Sequence, residues 1–199
     1  MSAVEQSSPW TVGAFLKWQT RQDDRYELVG GFPVKLMTGA SRRHDRIVVN
    51  LLRALGNRLQ GKPCQPFTAD GAVETFPGQI RRPDIGVECG SPELDTYLVA
   101  EPTALFEVLS PSTRNIDHYR KLEEYKAMRS VRHIVIVEPK EAAVLHLSRD
   151  QDGWRSDVFE TLEKEIPLSA IEISLPLCEI YAGIEDIASS SRDAEQAEG

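Results

Sequence analysis

The chain has 199 residues, 41% hydrophobic and 27% charged, which suits one core of ordinary soluble-protein composition. No apolar run approaches the roughly 18 to 20 residues of a membrane-spanning helix. The formal net charge of −8 argues against attraction of the whole surface to nucleic acid.

Residues 1–10 read as a disordered N-terminus, with neither the basic nor the apolar region of a secretory signal. Residues 11–184 follow as one domain. Residues 185–199, with five acids against Arg192 alone, read as an acidic disordered tail. Cys64, Cys89 and Cys178 are odd in number and far apart, matching neither a disulfide framework nor the close pairs of a zinc site. A reducing, cytoplasmic home is the expectation.

Thr11 to Trp18 fits a short helix with Val12, Phe15 and Leu16 inward. Tyr26 to Val29, the pair Gly30-Gly31, then Phe32 to Met37 predict a β-hairpin. Ser41 is suited to cap a helix that runs to about Gln60 and stops at Gly61. Its apolar stripe is Ile47, Val48, Leu51, Leu52, Leu55 and Leu59, with Arg43, Arg46, Asn50, Arg53 and Asn57 opposite. Between residues 42 and 62 six basic side chains, Arg42, Arg43, Arg46, Arg53, Arg58 and Lys62, face Asp45 alone. That pattern describes a solvated helix back more readily than a phosphate-contacting surface, and a basic face here would be local.

Strands are expected at Cys64 to Ala69, Asp84 to Cys89 and Thr103 to Leu109, with Pro77-Gly78 a turn before the second. A helix over Asn115 to Arg129 precedes the β-branched run Val131 to Val137. Turns then lead into Ala143 to Leu147 and Trp154 to Phe159, and Leu175 to Ile184 forms a short helix or irregular segment. The central order is helix, three strands, helix, strand: an α/β or α+β sandwich with a mixed sheet flanked by helices. His118, His133 and His146 show no ligand spacing and read as surface or strand residues.

The run from Thr103 to Leu109 poses a chemical question. Ala104, Phe106 and Val108 occupy one face and Leu105 and Leu109 the other, yet Glu107 stands between the two leucines. A carboxylate on such a strand costs several kcal/mol unless a metal, a lysine or a proton pairs with it. Asp84, directly after Arg81-Arg82-Pro83, begins a strand that could return beside it. Two carboxylates at a strand edge meet the requirement of a hard cation such as Mg²⁺. Asp117, Lys121 and Tyr125 form an i, i+4, i+8 row on the following helix. Lys121 could join Asp117 in an ordinary helix salt bridge, or reach the carboxylates and stabilise phosphorane charge.

The segment Arg82-Pro-Asp84, the run Phe106-Glu-Val-Leu-Ser-Pro-Ser-Thr113, and then Asp117, Lys121 and Tyr125 together resemble the Uma-type restriction endonuclease family. That family belongs to the PD-(D/E)XK nuclease superfamily. Tyr26-Glu-Leu28, Gly30-Gly31 and His44 match its N-terminal features, so the resemblance spans about residues 11 to 184. It implies a restriction-endonuclease-like αβββαβ core with N-terminal and C-terminal hairpin extensions. By that resemblance Asp84 and Glu107 hold Mg²⁺ or Mn²⁺, with the carbonyl of Val108 as a further ligand. Leu109 stands where the superfamily motif has lysine, which makes Lys121 the catalytic candidate. Glu27, His44 and Asp117 are accessory candidates; for His44 a satisfied core histidine is an equal reading. Departures at Ser130, Ile134-Val135 and Glu138-Pro139 bear on subfamily.

The expected activity is metal-dependent hydrolysis of DNA phosphodiester bonds, with Arg42, Arg43, Arg46, Arg81 and Arg82 on the backbone and a homodimer serving both strands. The competing reading is a catalytically silent DNA- or protein-binding module, favoured by the acidic balance. A two-carboxylate glycosidase fits poorly, because it has no use for the lysine.

Overall fold

The computed structural model describes residues 8–36, 40–91, 93, 95–110 and 116–184, with the side chains of 116–118 outside that description. In chain order the elements are α1 (Val12–Gln19), β1 (Tyr26–Val29), β2 (Phe32–Lys35), α2 (Arg42–Leu59), β3 (Cys64–Thr68), β4 (Val73–Phe76), β5 (Gln79–Arg81) and β6 (Ile85–Cys89). They continue with β7 (Pro102–Val108), α3 (Ile116–Ala127), β8 (His133–Glu138), β9 (Ala143–Arg149), β10 (Trp154–Phe159), β11 (Glu165–Leu168), a 3₁₀ turn at Ser169–Ile171, β12 (Ile173–Pro176) and α4 (Leu177–Ile180).

Six strands form the main sheet in the order β10-β9-β8-β7-β6-β3, parallel only between β7 and β8. This is the mixed sheet flanked by helices that the sequence implies. Ala104, Phe106 and Val108 pack with Val135 and Val137 against Ile47, Leu51, Leu55 and Leu59 of α2 and the C-terminal segment. On the other face Leu105, Ile134, Ile136 and Leu147 surround Tyr125 of α3. Both faces of β7 are therefore covered, as a continuous apolar run demands.

α2 begins where expected, its Ser41 Oγ accepting the His44 N–H at 3.2 Å. One residue assigned to its polar face belongs inside. Asn50 is buried, because α4 packs on that flank, and its amide donates to the carbonyls of Ile180 and Ala182 at 3.0 and 2.9 Å. β4 and β5 were not foreseen. Pro77-Gly78 is a turn, with Gly78 at φ 81°, but it closes a hairpin of its own. That hairpin joins β1 and β2 in a second sheet, ordered β2-β1-β5-β4, with Phe15 of α1 packed against its Leu28 and Ile80. Strands of three and four residues carry too little periodicity to be read from sequence.

Two further expectations change and one, the strand reading of two histidines, is sharpened. Cys64 and Cys89 stand opposite one another in the β3–β6 register and form a disulfide, leaving Cys178 free. The cysteine argument for a reducing compartment loses its premise. His133 and His146 are strand residues but not at the surface; their rings are buried and stacked at 5.2 Å. Trp10, included in the disordered N-terminus, is held edge-on to Trp18 at 5.4 Å, and its N–H donates to Gly31 at 2.8 Å. Residues 1–7, Met37, Pro111 to Asn115 and the tail 185–199 lie outside the described residues. No described helix is long and apolar enough to cross a membrane.

Candidate active site

β6 and β7 pair antiparallel with Ile85 opposite Phe106, so Asp84, one residue earlier, stands opposite Glu107. Asp84 Oδ2 accepts the Val108 N–H at 2.8 Å, which orients the carboxylate at the end of the ladder. Glu107 shares its face with Leu105 and Leu109 and meets α3. The Tyr125 hydroxyl donates to Glu107 Oε1 at 2.7 Å, and Lys121 Nζ lies 3.6 Å from the same oxygen. The i, i+4 spacing of Lys121 and Tyr125 thus delivers both groups to one carboxylate. The Asp117 side chain, the other partner expected for Lys121, lies outside the described residues.

Glu27 joins the group from the second sheet. Its Oε1 is 3.0 Å from Lys121 Nζ and also accepts the Arg82 N–H, while Oε2 accepts from Arg81 Nη1 at 2.9 Å. Both of its oxygens are engaged, so Glu27 holds the lysine rather than offering a free ligand. His44 enters from the first turn of α2, its Nε2 3.3 Å from Asp84 Oδ2. The core-histidine reading gives way to a half-buried residue lodged against the candidate site.

The electrostatics follow from burial. Desolvation pushes the Glu107 carboxyl up to about 7, against the opposing pull of Lys121 and helped by Asp84. Burial also disfavours the Lys121 ammonium, but Glu107 and Glu27 outweigh it and hold its pKa above the ordinary value. Lys121 therefore stays charged, and Glu107 is the partner whose proton is exchangeable near neutrality. The Asp84 carboxylate, aided by the Val108 carbonyl, raises His44. Burial and Glu107 together raise the Tyr125 hydroxyl, which serves as a donor.

No group of three or more His, Cys, Asp or Glu side chains suited to a metal occurs among the described residues. Mg²⁺ does not require one, since it takes one or two carboxylates and completes its shell with water and substrate oxygens. Asp84 Oδ1 and Glu107 Oε2 have no protein hydrogen bond among the described residues, so two hard oxygens on facing strands fit such a cation.

Two expected surface residues are internal. Arg81 and Arg82, assigned to the DNA backbone, are only 1% and 7% exposed. Arg81 is tied to Glu27 and Glu124, and Arg82 donates to the carbonyls of Tyr26, Ala69 and Asp70. A buried side chain whose charge is already bound to internal oxygens cannot also reach a phosphate. Arg42 and Arg46 are exposed and Arg43 half-buried, with Arg43 reaching the Pro139 carbonyl. Sequence reasoning also missed Glu124, although its place three residues after Lys121 put it on the same helix face.

The family described as "Putative restriction endonuclease" (Uma2) matches residues 12–178. An uncharacterized protein of Synechocystis sp. is 26% identical over 173 residues, covering 85% of this chain and 90% of that protein. A 98-residue stretch is 31% identical to cytoplasmic dynein 2 heavy chain 1 of Mus musculus, 45% of this chain but 2% of that protein, too small a share to bear on activity. Among solved structures, one titled a "putative nuclease belonging to DUF820", from Anabaena variabilis, superposes with a TM-score of 0.69. It is 18% identical and covers 87% of this chain and 98% of its own, a likeness of fold.

Proposed function

Because the chain belongs to the Uma2 family, we propose that it is a metal-dependent endonuclease that hydrolyses DNA phosphodiester bonds at Asp84, Glu107 and Lys121. The family and the nuclease-fold neighbour support the nuclease class. The observation that carries the finer reading is the convergence of three elements. Asp84 and Glu107 face each other across β6 and β7, and α3 sets Lys121 Nζ 3.6 Å from Glu107.

Asp84 and Glu107 would hold Mg²⁺ or Mn²⁺, which when bound would supply Lewis-acid activation of phosphate and water. The protein's own groups do the rest. The Val108 N–H fixes Asp84, and the Tyr125 hydroxyl fixes Glu107 Oε1, which leaves Oε2 toward the cation. Lys121 orients the attacking water and meets the negative charge that develops on the phosphoryl oxygens. Arg42 and Arg46, in the same helical turns as His44, approach the DNA backbone beside the site and steer it in. Two such sites are needed to cut both strands, which calls for a homodimer.

Purified protein incubated with plasmid and single-stranded DNA tests this, with Mg²⁺, Mn²⁺ or a chelator. Cleavage should require the cation and be lost in Glu107→Ala; equal cleavage by the two proteins would defeat the enzyme reading. One observation favours a second reading, a silent binding module. With Glu107 near 7, Lys121 and a proton can satisfy the site without a cation. Calorimetric titration with Mn²⁺ separates them, because a silent module takes up no metal through Asp84 and Glu107.

A further inference from the structure

Lys121 sits on a helix, whereas the acids that it serves sit on strands, so something must set the helix in register. Helix α3 is fastened by a buried charge circuit lying one helical turn beyond the proposed site. Arg81 Nε and Nη2 donate to Glu124 Oε2 and Oε1 at 2.8 and 2.7 Å, and Arg81 Nη1 donates to Glu27 Oε2 at 2.9 Å. Glu124 also accepts from the Thr75 hydroxyl at 2.8 Å and from the Gln79 amide, so β4 and β5 both grip it. Glu27 returns the circuit to Lys121 at 3.0 Å. Arg81 and Glu27 are 1% and 3% exposed, and Glu124 and Lys121 are 5% and 7% exposed.

We propose that Arg81 is the positioning residue of this site, and that its guanidinium bridge between Glu27 and Glu124 sets the Lys121 ammonium over Glu107. This rests on the nuclease reading only for its effect on rate; the placement of Lys121 is independent of it. The side chain has to be arginine. A planar fork binds one carboxylate with two nitrogens and a second with the third, while a lysine offers a single point charge. The bridge also ties β1 and β5 to α3 through one buried side chain, so neither carboxylate can shift without the other. Arg81 touches neither DNA nor cation, which separates it from the three proposed catalytic residues.

Two variants test the assignment. Arg81→Lys keeps the charge and loses the fork. Glu124→Gln keeps the shape and weakens the grip on α3, and it serves should Arg81→Lys fail to fold by circular dichroism. The first readout needs no nuclease activity: acetylation of lysines by an amine-reactive ester, followed by peptide mass spectrometry without DNA or metal. Lys121 should be protected in the wild type and label about fivefold faster in either variant as α3 loosens, with the other lysines unchanged. Asn50→Ala, a destabilising change at the far flank of α2, should leave Lys121 labelling as in the wild type.

The second readout is cleavage. A displaced ammonium should lower kcat by about 100-fold and leave the KM for DNA and the affinity for Mn²⁺ nearly unchanged. A folded variant with unchanged Lys121 labelling overturns the assignment. If no protein cleaves DNA, the nuclease reading falls alone and the labelling still decides the role of Arg81.

Discussion

Desolvation pushes the Glu107 carboxyl to about 7 from 4.5, so the folded chain holds a proton there that the unfolded chain has released. The free protein therefore loses stability as pH rises through that window, by about 3 kcal/mol in total. Denaturant melts in chelator should show this slope between pH 5 and 8 as the stability difference between the wild type and Glu107→Gln, which lacks the titrating group. A cation that prefers the ionised carboxylate reverses the sign. At limiting Mn²⁺, cleavage should rise through about pH 7, and the midpoint should move to lower pH as Mn²⁺ is added. Lys121→Met removes the one ammonium that opposes desolvation, so its cleavage midpoint should move to higher pH while kcat falls by about 100-fold. A pH–rate series on the two proteins checks both outcomes.

At the scale of the elements, the C-terminal segment is bolted to the sheet by polar contacts in an otherwise apolar core. Asn50 on α2 satisfies the carbonyl of Ile180, the last residue of α4, and that of Ala182 just beyond it. Asn50→Ala should cost about 1 to 3 kcal/mol in a denaturant melt, because two backbone acceptors lose their donor. On the opposite side of that segment, Ala170 N–H donates to His133 Nε2 at 3.0 Å, and His133 Nδ1 faces His146 Nε2 at 3.0 Å. An accepting Nε2 requires a neutral ring with its proton on Nδ1. Burial, with His146 alongside, lowers His133 to about 4, so the unfolded chain takes up a proton that the folded chain refuses. The His133 contribution should fall by about 3 kcal/mol from pH 6.5 to 4, opposing the Glu107 slope where the two windows overlap. His133→Gln, which keeps an acceptor for Ala170 without titrating, should gain stability relative to the wild type as pH falls from 6.5 to 4, in melts at matched pH.

Taken whole, the molecule carries a net charge of −8, and with Arg81 and Arg82 paired internally the proposed DNA path rests on the exposed Arg42 and Arg46 of α2. Binding to duplex DNA should therefore be weak and strongly salt-dependent. Replacing Arg42 and Arg46 by Glu should lower affinity at every sequence and reduce the salt slope by about 2 in a fluorescence titration. Unchanged binding would move the DNA path away from α2.

Glu107 could be picked out from sequence because its neighbours are apolar: a strand with leucines on either side of a carboxylate announces a buried charge whatever surrounds it. The α2 stripe and the Lys121–Tyr125 row were legible for a similar reason, since helical periodicity is a local property. Arg81 and Arg82 look like surface residues in sequence, and Cys64 and Cys89 look unrelated. Their partners lie 54 and 43 residues away for Arg81 and 25 for the cysteines, set by strand register and by a second sheet built from very short strands. The acids and the lysine of the candidate site were written locally. Long-range pairing decides which charges are spent inside to hold them in place, because only the assembled sheets bring Glu27 and Glu124 to the same guanidinium.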